Sequence, residues 1–302
     1  MNTPTRLAAY GAGLAVVLTG GWLLGDRTDL GDVDRPTESH SGAHAGDTAE
    51  GNDMKMTDGT AKVPGGLQVA ENGYSLDLAP TGYTSGTQTI EFKVLGPDGE
   101  PLTDYTEEHE KDLHLIVVRR SFSDFQHVHP TLDRTTGTWS VDVDLEPGTW
   151  RVFADFVPAG ADEGLTLGTD LFVAGSPGNE SLPEVVRTAT VGGFTVTVAG
   201  DLAAGEHSML EFEVSRNGRP VTDLEPYLGA YGHLVALRER DLAYLHVHPG
   251  GEPGDGKTEP GPTIDFGAEV PSAGRYHLYL DFKVGGVVRT AQFALDATRG
   301  TR

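Results

Sequence analysis

Cysteine is absent from this 302-residue chain, which excludes disulfides, thiolate zinc sites, iron–sulfur clusters and the cysteine-ligated blue-copper centre. Any bound metal must therefore rest on His, Asp, Glu or Met. Basic charge is scarce as well: 22 Lys and Arg stand against 45 Asp and Glu, for a formal net charge of -23. That balance argues against a nucleic-acid partner and against a polybasic lipid contact, since both need positive surface to meet phosphate. No convincing helical period runs through the chain. There is no βαβ unit, no phosphate loop, no dinucleotide fingerprint and no Ser/His/Asp nucleophile pattern.

One long apolar run is present. Residues 7–25 carry no charge, follow Arg6 and precede Asp26, Arg27, Asp29, Asp32 and Asp34. This length is close to the ~20 residues that span a bilayer. The lone basic flank places the N-terminus inside and the bulk of the chain outside. With no A-x-A-like cleavage site at its end, the run reads as a signal anchor over residues 1–25, giving a single-pass membrane protein with extracytoplasmic domains; cleavage would make it secreted. Residues 26–62 are rich in Asp, Gly, Thr, Glu, His and Ser with almost no large apolar side chain, a disordered acidic linker by composition. Its His40, His44, Met54 and Met56 read as ordinary linker residues ahead of any soft-metal role.

Beyond the linker the sequence repeats itself. YSLDL from Tyr74 corresponds to FTVTV from Phe194, and IEFKV from Ile90 to LEFEV from Leu210. These alternate with the period of two of a half-buried strand and lead into turns at Pro97-Asp98-Gly99 and Asn217-Gly218. WRVFADF from Trp150 corresponds to YHLYLDF from Tyr276. About seven short strands in each half predict an all-β chain of two tandem Ig-like or cupredoxin-like sandwiches, residues 63–177 and 183–299. Pro249 to Tyr276 spans 27 positions against 20 from Pro130 to Trp150, so the second half has a longer Gly/Pro-rich loop after its histidines.

Each half holds one copy of H-x12-H-V-H-P: His114, His127 and His129, then His233, His246 and His248. Side chains two apart on a strand leave the same face. Pairing Val118 with Phe125 in a hairpin sets His114 opposite His129, and three imidazoles then share that face. The same arithmetic applied to the second copy predicts one His-rich site per repeat. Asp155 and its counterpart Asp281 interrupt apolar strands; each reads equally as a fourth ligand or as a hydrogen-bond partner of an imidazole. His109, His207 and His277 lack a histidine counterpart and read as surface residues. Imidazole suits copper and zinc alike.

With its HLIVVRR, FQHVHP and FADFVPAG segments, and their second-half counterparts, the chain resembles a group of membrane-anchored or secreted bacterial proteins with duplicated domains. Those proteins are similar to extracytoplasmic copper-handling β-sandwiches. The resemblance implies metal binding at His114, His127, His129, His233, His246 and His248. The paired three-histidine faces and the outward anchor point to a non-enzymatic protein that buffers or sequesters copper, with zinc the other candidate ion, or passes it to a transfer partner. A His-ligated metalloenzyme and a metal-free tandem Ig-like surface module are the alternatives.

Overall fold

A computed structural model describes residues 63–178, 181–245 and 247–300. The anchor and linker readings lie outside them, as does His246. Among the described residues no helix is long and apolar enough to cross a membrane, and every named element is a strand. Eight principal strands recur in each repeat. In the first they are β1 (Tyr74–Leu78), β2 (Gly86–Leu95), β3 (Leu113–Arg119), β4 (Phe125–Val128), β5 (Thr131–Asp133), β6 (Thr138–Leu145), β7 (Gly148–Pro158) and β8 (Leu165–Val173). In the second they are β9 (Phe194–Ala199), β10 (His207–Arg216), β11 (Gly232–Arg238), β12 (Tyr244–Leu245), β13 (Val247–Pro249), β14 (Thr263–Glu269), β15 (Gly274–Val284) and β16 (Val287–Arg299).

Each repeat is a sandwich of two sheets. The first pairs β1-β2-β6-β5 against β8-β7-β3-β4, and the second pairs β9-β10-β14-β13 against β16-β15-β11-β12, with short strands added at the margins. Alternation dictates the inner faces: Ile90, Phe92 and Val94 of β2 are buried while Glu91 points to solvent. Large side chains fill the two cores, among them Trp139 and Trp150 in the first and Phe212 and Phe266 in the second. Both indoles keep a hydrogen-bond acceptor on burial. Trp139 Nε1 donates to the Tyr105 hydroxyl at 3.0 Å and Trp150 Nε1 to the Glu146 carbonyl at 2.9 Å.

Strand β3 departs from alternation, since all seven of its residues are buried. Leu113, Leu115 and Val117 enter the first sandwich core, while Ile116 and Val118 join a third core with Phe122, Phe153, Val235, Leu237, Leu242, Tyr244 and Tyr279. The β3–β7 sheet of one repeat therefore packs face to face on the β11–β15 sheet of the other, within a single unit spanning Thr60–Arg302. Near-continuous apolar strands are what two-sided burial demands. The contact is pseudo-symmetric: Phe125 stacks on Tyr279 at 3.9 Å, and their repeat counterparts Tyr244 and Phe153 approach to 5.6 Å. His277, expected at the surface, is buried here at 2 % exposure, stacked on Phe122 at 3.9 Å and donating to Glu239 at 3.1 Å. It lies on the face of β15 that the first repeat covers.

The chain enters along the rim of this contact. Gly66 donates to the Thr166 carbonyl, Gly168 donates to Gln68, and Arg151 donates to the Gly66 carbonyl. A Cβ on Gly168 would come within 2.2 Å of the Gly66 carbonyl oxygen. Gly168→Ala is expected to push the entering segment off β8 and cost about 1–3 kcal/mol of stability, the usual cost of overpacking; a denaturant melt measures it.

Candidate metal centre

The Val118–Phe125 pairing forms as expected, and the ladder runs through Val117–Gln126 and Ile116–His127 to Leu115–Val128. His114 and His127 consequently share the β3–β4 face that meets the second repeat, and His129 follows one step beyond the strand end. His114 Nδ1 lies 3.0 Å from His127 Nε2 and 3.2 Å from His129 Nε2. Ligand atoms of all three rings fall within 4.8 Å of one another. Rigid, buried strands hold the first two rings: His114 is 5 % exposed and the His127 side chain 1 %.

The outward nitrogens decide the tautomers, which here are assigned from their partners. His114 Nε2 faces the Glu108 backbone carbonyl at 3.1 Å. A carbonyl only accepts, so this nitrogen carries the hydrogen and Nδ1 is bare in the neutral ring. His127 Nδ1 donates to Asp281 Oδ2 at 2.8 Å, and Asp281 Oδ1 accepts from the Thr290 hydroxyl at 2.5 Å. His127 Nε2 is thus bare as well.

Burial keeps the rings neutral. Desolvation, reinforced by the neighbouring imidazoles, pushes His127 and His129 down to about 3. Burial also lowers His114, and holds His233 well below the ordinary histidine range. Burial raises the Asp281 carboxyl to about 7, against the pull of the Thr290 hydrogen bond. Tyr227, whose ring lies 6.4 Å from that of His129, is pushed up to about 12 by burial and then by the Asp281 charge.

The described histidines of the second copy, His233 and His248, do not repeat this arrangement. His233 faces the first triad, stacked on His114 at 5.5 Å and 4.7 Å from His127. His248 leaves for the opposite sheet, where it is exposed and pairs with Gly267. Among the described residues, Ala236–Leu245 and Leu237–Tyr244 pair in the second hairpin before β13 joins β14. In the first repeat the equivalent switch waits until Thr131. The physical reason lies in the longer loop that follows: Gly250 donates to the Asp265 carbonyl, carrying the β13–β14 ladder onward and drawing His248 with it. Among the described residues one triad forms, on the first repeat, closed by residues of the second; His246 of the second expected site lies outside them.

Asp281 reaches across to His127, the outer-partner role. Asp155 lies opposite His114 on β7 and accepts from the Thr166 hydroxyl at 2.7 Å, as Asp281 does from Thr290. His109, expected at the surface, stands beside the triad. It is exposed at the rim, with its ring 6.2 Å from His114 and 5.6 Å from His233, and a position five residues before His114 was the available signal. Asp281→Asn is expected to weaken metal affinity at the triad about 10–100-fold, the usual cost of losing an outer-shell partner; competition against a chromophoric chelator reads it.

A family model described as a domain of unknown function, DUF8832, matches residues 68–167 and again 189–299, establishing a duplicated domain. Solved structures that the chain resembles include three β-domain proteins. The Lin-41 filamin domain is 13% identical, covers 35% of this chain and 93% of its own, with a TM-score of 0.23. Invasin, a bacterial integrin-binding protein, is 14% identical over 77% of this chain and 41% of its own, at 0.24. InvD of Yersinia pseudotuberculosis is 13% identical over 76% and 59%, at 0.25. The chain thus spans less than two thirds of invasin and of InvD. No curated protein matches the chain.

Proposed function

We propose that this chain, which belongs to the DUF8832 family, is an extracytoplasmic transition-metal-binding protein that holds copper, or zinc, at His114, His127 and His129 for buffering or transfer. One observation carries the reading. Two imidazole nitrogens, His114 Nδ1 and His127 Nε2, face each other at 3.0 Å with His129 Nε2 3.2 Å from the first, while the far nitrogens of His114 and His127 are held by the Glu108 carbonyl and Asp281. A cation set among them accepts a lone pair from each ring. The spacing fits, since nitrogens at 2.0–2.1 Å from a tetrahedral ion stand about 3.3 Å apart. An outer carboxylate that orients a ligating imidazole is the usual support of such a site, and Asp281 supplies it.

The role is binding rather than catalysis. The carboxylate nearest the triad is engaged by His127 and Thr290, which leaves it unsuited to activate a water. The N-terminal run of the sequence supports membrane attachment with the sandwiches outside. Titration of the metal-free full chain with Cu(II) and Zn(II) is expected to give one equivalent that disappears when all three histidines are alanine. Affinity no tighter than about millimolar, or affinity unchanged in the triple variant, would overturn the reading. The second reading, a tandem Ig-like structural module, draws support from the apolar inter-repeat core, which welds the sandwiches whatever the histidines do. Partner capture that persists in a chelator would favour it.

A further inference from the structure

The outer face of the β9-β10-β14-β13 sheet carries an anomaly that the triad does not explain. Gly267 sits in the middle of β14, paired on one side with Met209 of β10 and on the other with His248 of β13. Its φ is not in the left-handed range, so the backbone does not call for glycine. In a strand interior glycine weakens the sheet, and it is characteristic of places where another group approaches closely. Here that group is an imidazole. A Cβ on Gly267 would lie 2.9 Å from His207 Nε2 and 4.0 Å from Met209 Sδ.

Both donors therefore converge on one bare patch of backbone. His248 stands directly across it, one inter-strand spacing away, which is about 4.8 Å. All three side chains leave the same sheet face by register, and all are exposed; Met209 is 54% exposed, unusual company for an apolar side chain. Glu269, paired with His207, adds negative charge beside them.

The first repeat shows what an ordinary outer face looks like at these positions. There Thr87 donates to Asp144 and Thr89 to Asp142, each at 2.6 Å, a ladder of cross-strand hydrogen bonds. In the second repeat the corresponding pairs are His207–Glu269 and Met209–Gly267. Two stabilising hydroxyl–carboxylate pairs have given way to two soft or borderline metal ligands and a gap.

We infer that His207, Met209 and His248 form a second metal site over Gly267, selective for a soft monovalent ion, Cu(I). A thioether beside two imidazoles favours Cu(I) over Zn(II) and over the hard divalent cations. The site lies on the sheet of the second repeat opposite the one that meets the triad, and it stands or falls independently of it.

X-ray absorption at the copper edge tests the inference, using the full chain loaded with one equivalent of Cu(I) from a competing chelator. A Met54→Leu, Met56→Leu background keeps linker thioethers out of the signal. This background is expected to show a sulfur scatterer that Met209→Leu removes. Gly267→Val, which fills the gap with a branched side chain suited to a strand, should lower Cu(I) affinity by about tenfold or more. Sulfur scattering should survive His127→Ala, which separates failure at the triad from failure here. Absence of sulfur in the background protein, its persistence in Met209→Leu, or Cu(I) affinity unchanged in both Gly267→Val and His248→Ala would overturn the assignment.

Discussion

Replacing His127 with alanine is expected to weaken Cu(II) and Zn(II) binding by more than about 100-fold, beyond the 10–100-fold that loss of an outer-shell partner costs. The substitution removes one of the two bare nitrogens that face each other at 3.0 Å and also severs the only link between the triad and Asp281 among the described hydrogen bonds. His129→Ala removes a ligand without touching that link, so it should fall between Asp281→Asn and His127→Ala. The metal-free fold responds differently. His127→Ala leaves a buried carboxyl with the Thr290 hydroxyl as its remaining partner, a change worth about 1–3 kcal/mol. That is small enough for the variant to remain folded while its affinity is read by chelator competition. Equal affinities for the wild-type chain and His127→Ala would remove the triad from consideration.

Saturating metal should raise the melting temperature by roughly 8–16 °C. An ion that binds only the native state at 1,000 times its dissociation constant contributes about 4 kcal/mol. A folded region of 150–250 residues moves about 2–4 °C per kcal/mol. Calorimetry with and without a chelator measures the shift. Its distribution is informative, because the triad belongs to the first repeat while Asp281 and His233 belong to the second. Both sandwiches should therefore move together as one transition. An ion that stabilised only the first repeat would split the melt, and Ile116→Asp, which places a charge in the inter-repeat core, should produce that split.

Much of this organisation was legible in the residues. The period-two alternation of YSLDL and FTVTV required strands, and the H-V-H spacing required a shared face. The Val118–Phe125 register follows from the length of the connecting turn. Other features were visible without being interpretable. His-Leu-Ile-Val-Val on β3 and Leu-Val-Ala-Leu on β11 are too continuously apolar for strands with a solvated face, which marks a second covering layer but not what supplies it. Asp281 stood out as a carboxylate in an apolar strand, with two roles equally open to it. The exposed His207 and Met209 differ from their repeat counterparts Thr87 and Thr89, yet the contrast acquires meaning only once β14 brings Gly267 between them and His248.

Local pattern was sufficient to determine strand, face and hairpin register, because those depend on neighbours a few residues apart and on a period that admits no half-steps. It was equally sufficient to exclude cysteine-based chemistry. The docking of one sandwich on the other was a tertiary decision. So were the 2.8 Å contact between His127 and Asp281, 154 positions apart, and the departure of His248 to the other sheet. Each rests on competition between surfaces distant in sequence, where two-sided apolar burial and the ladder carried on by a longer loop outweighed the symmetry that the repeat itself suggested.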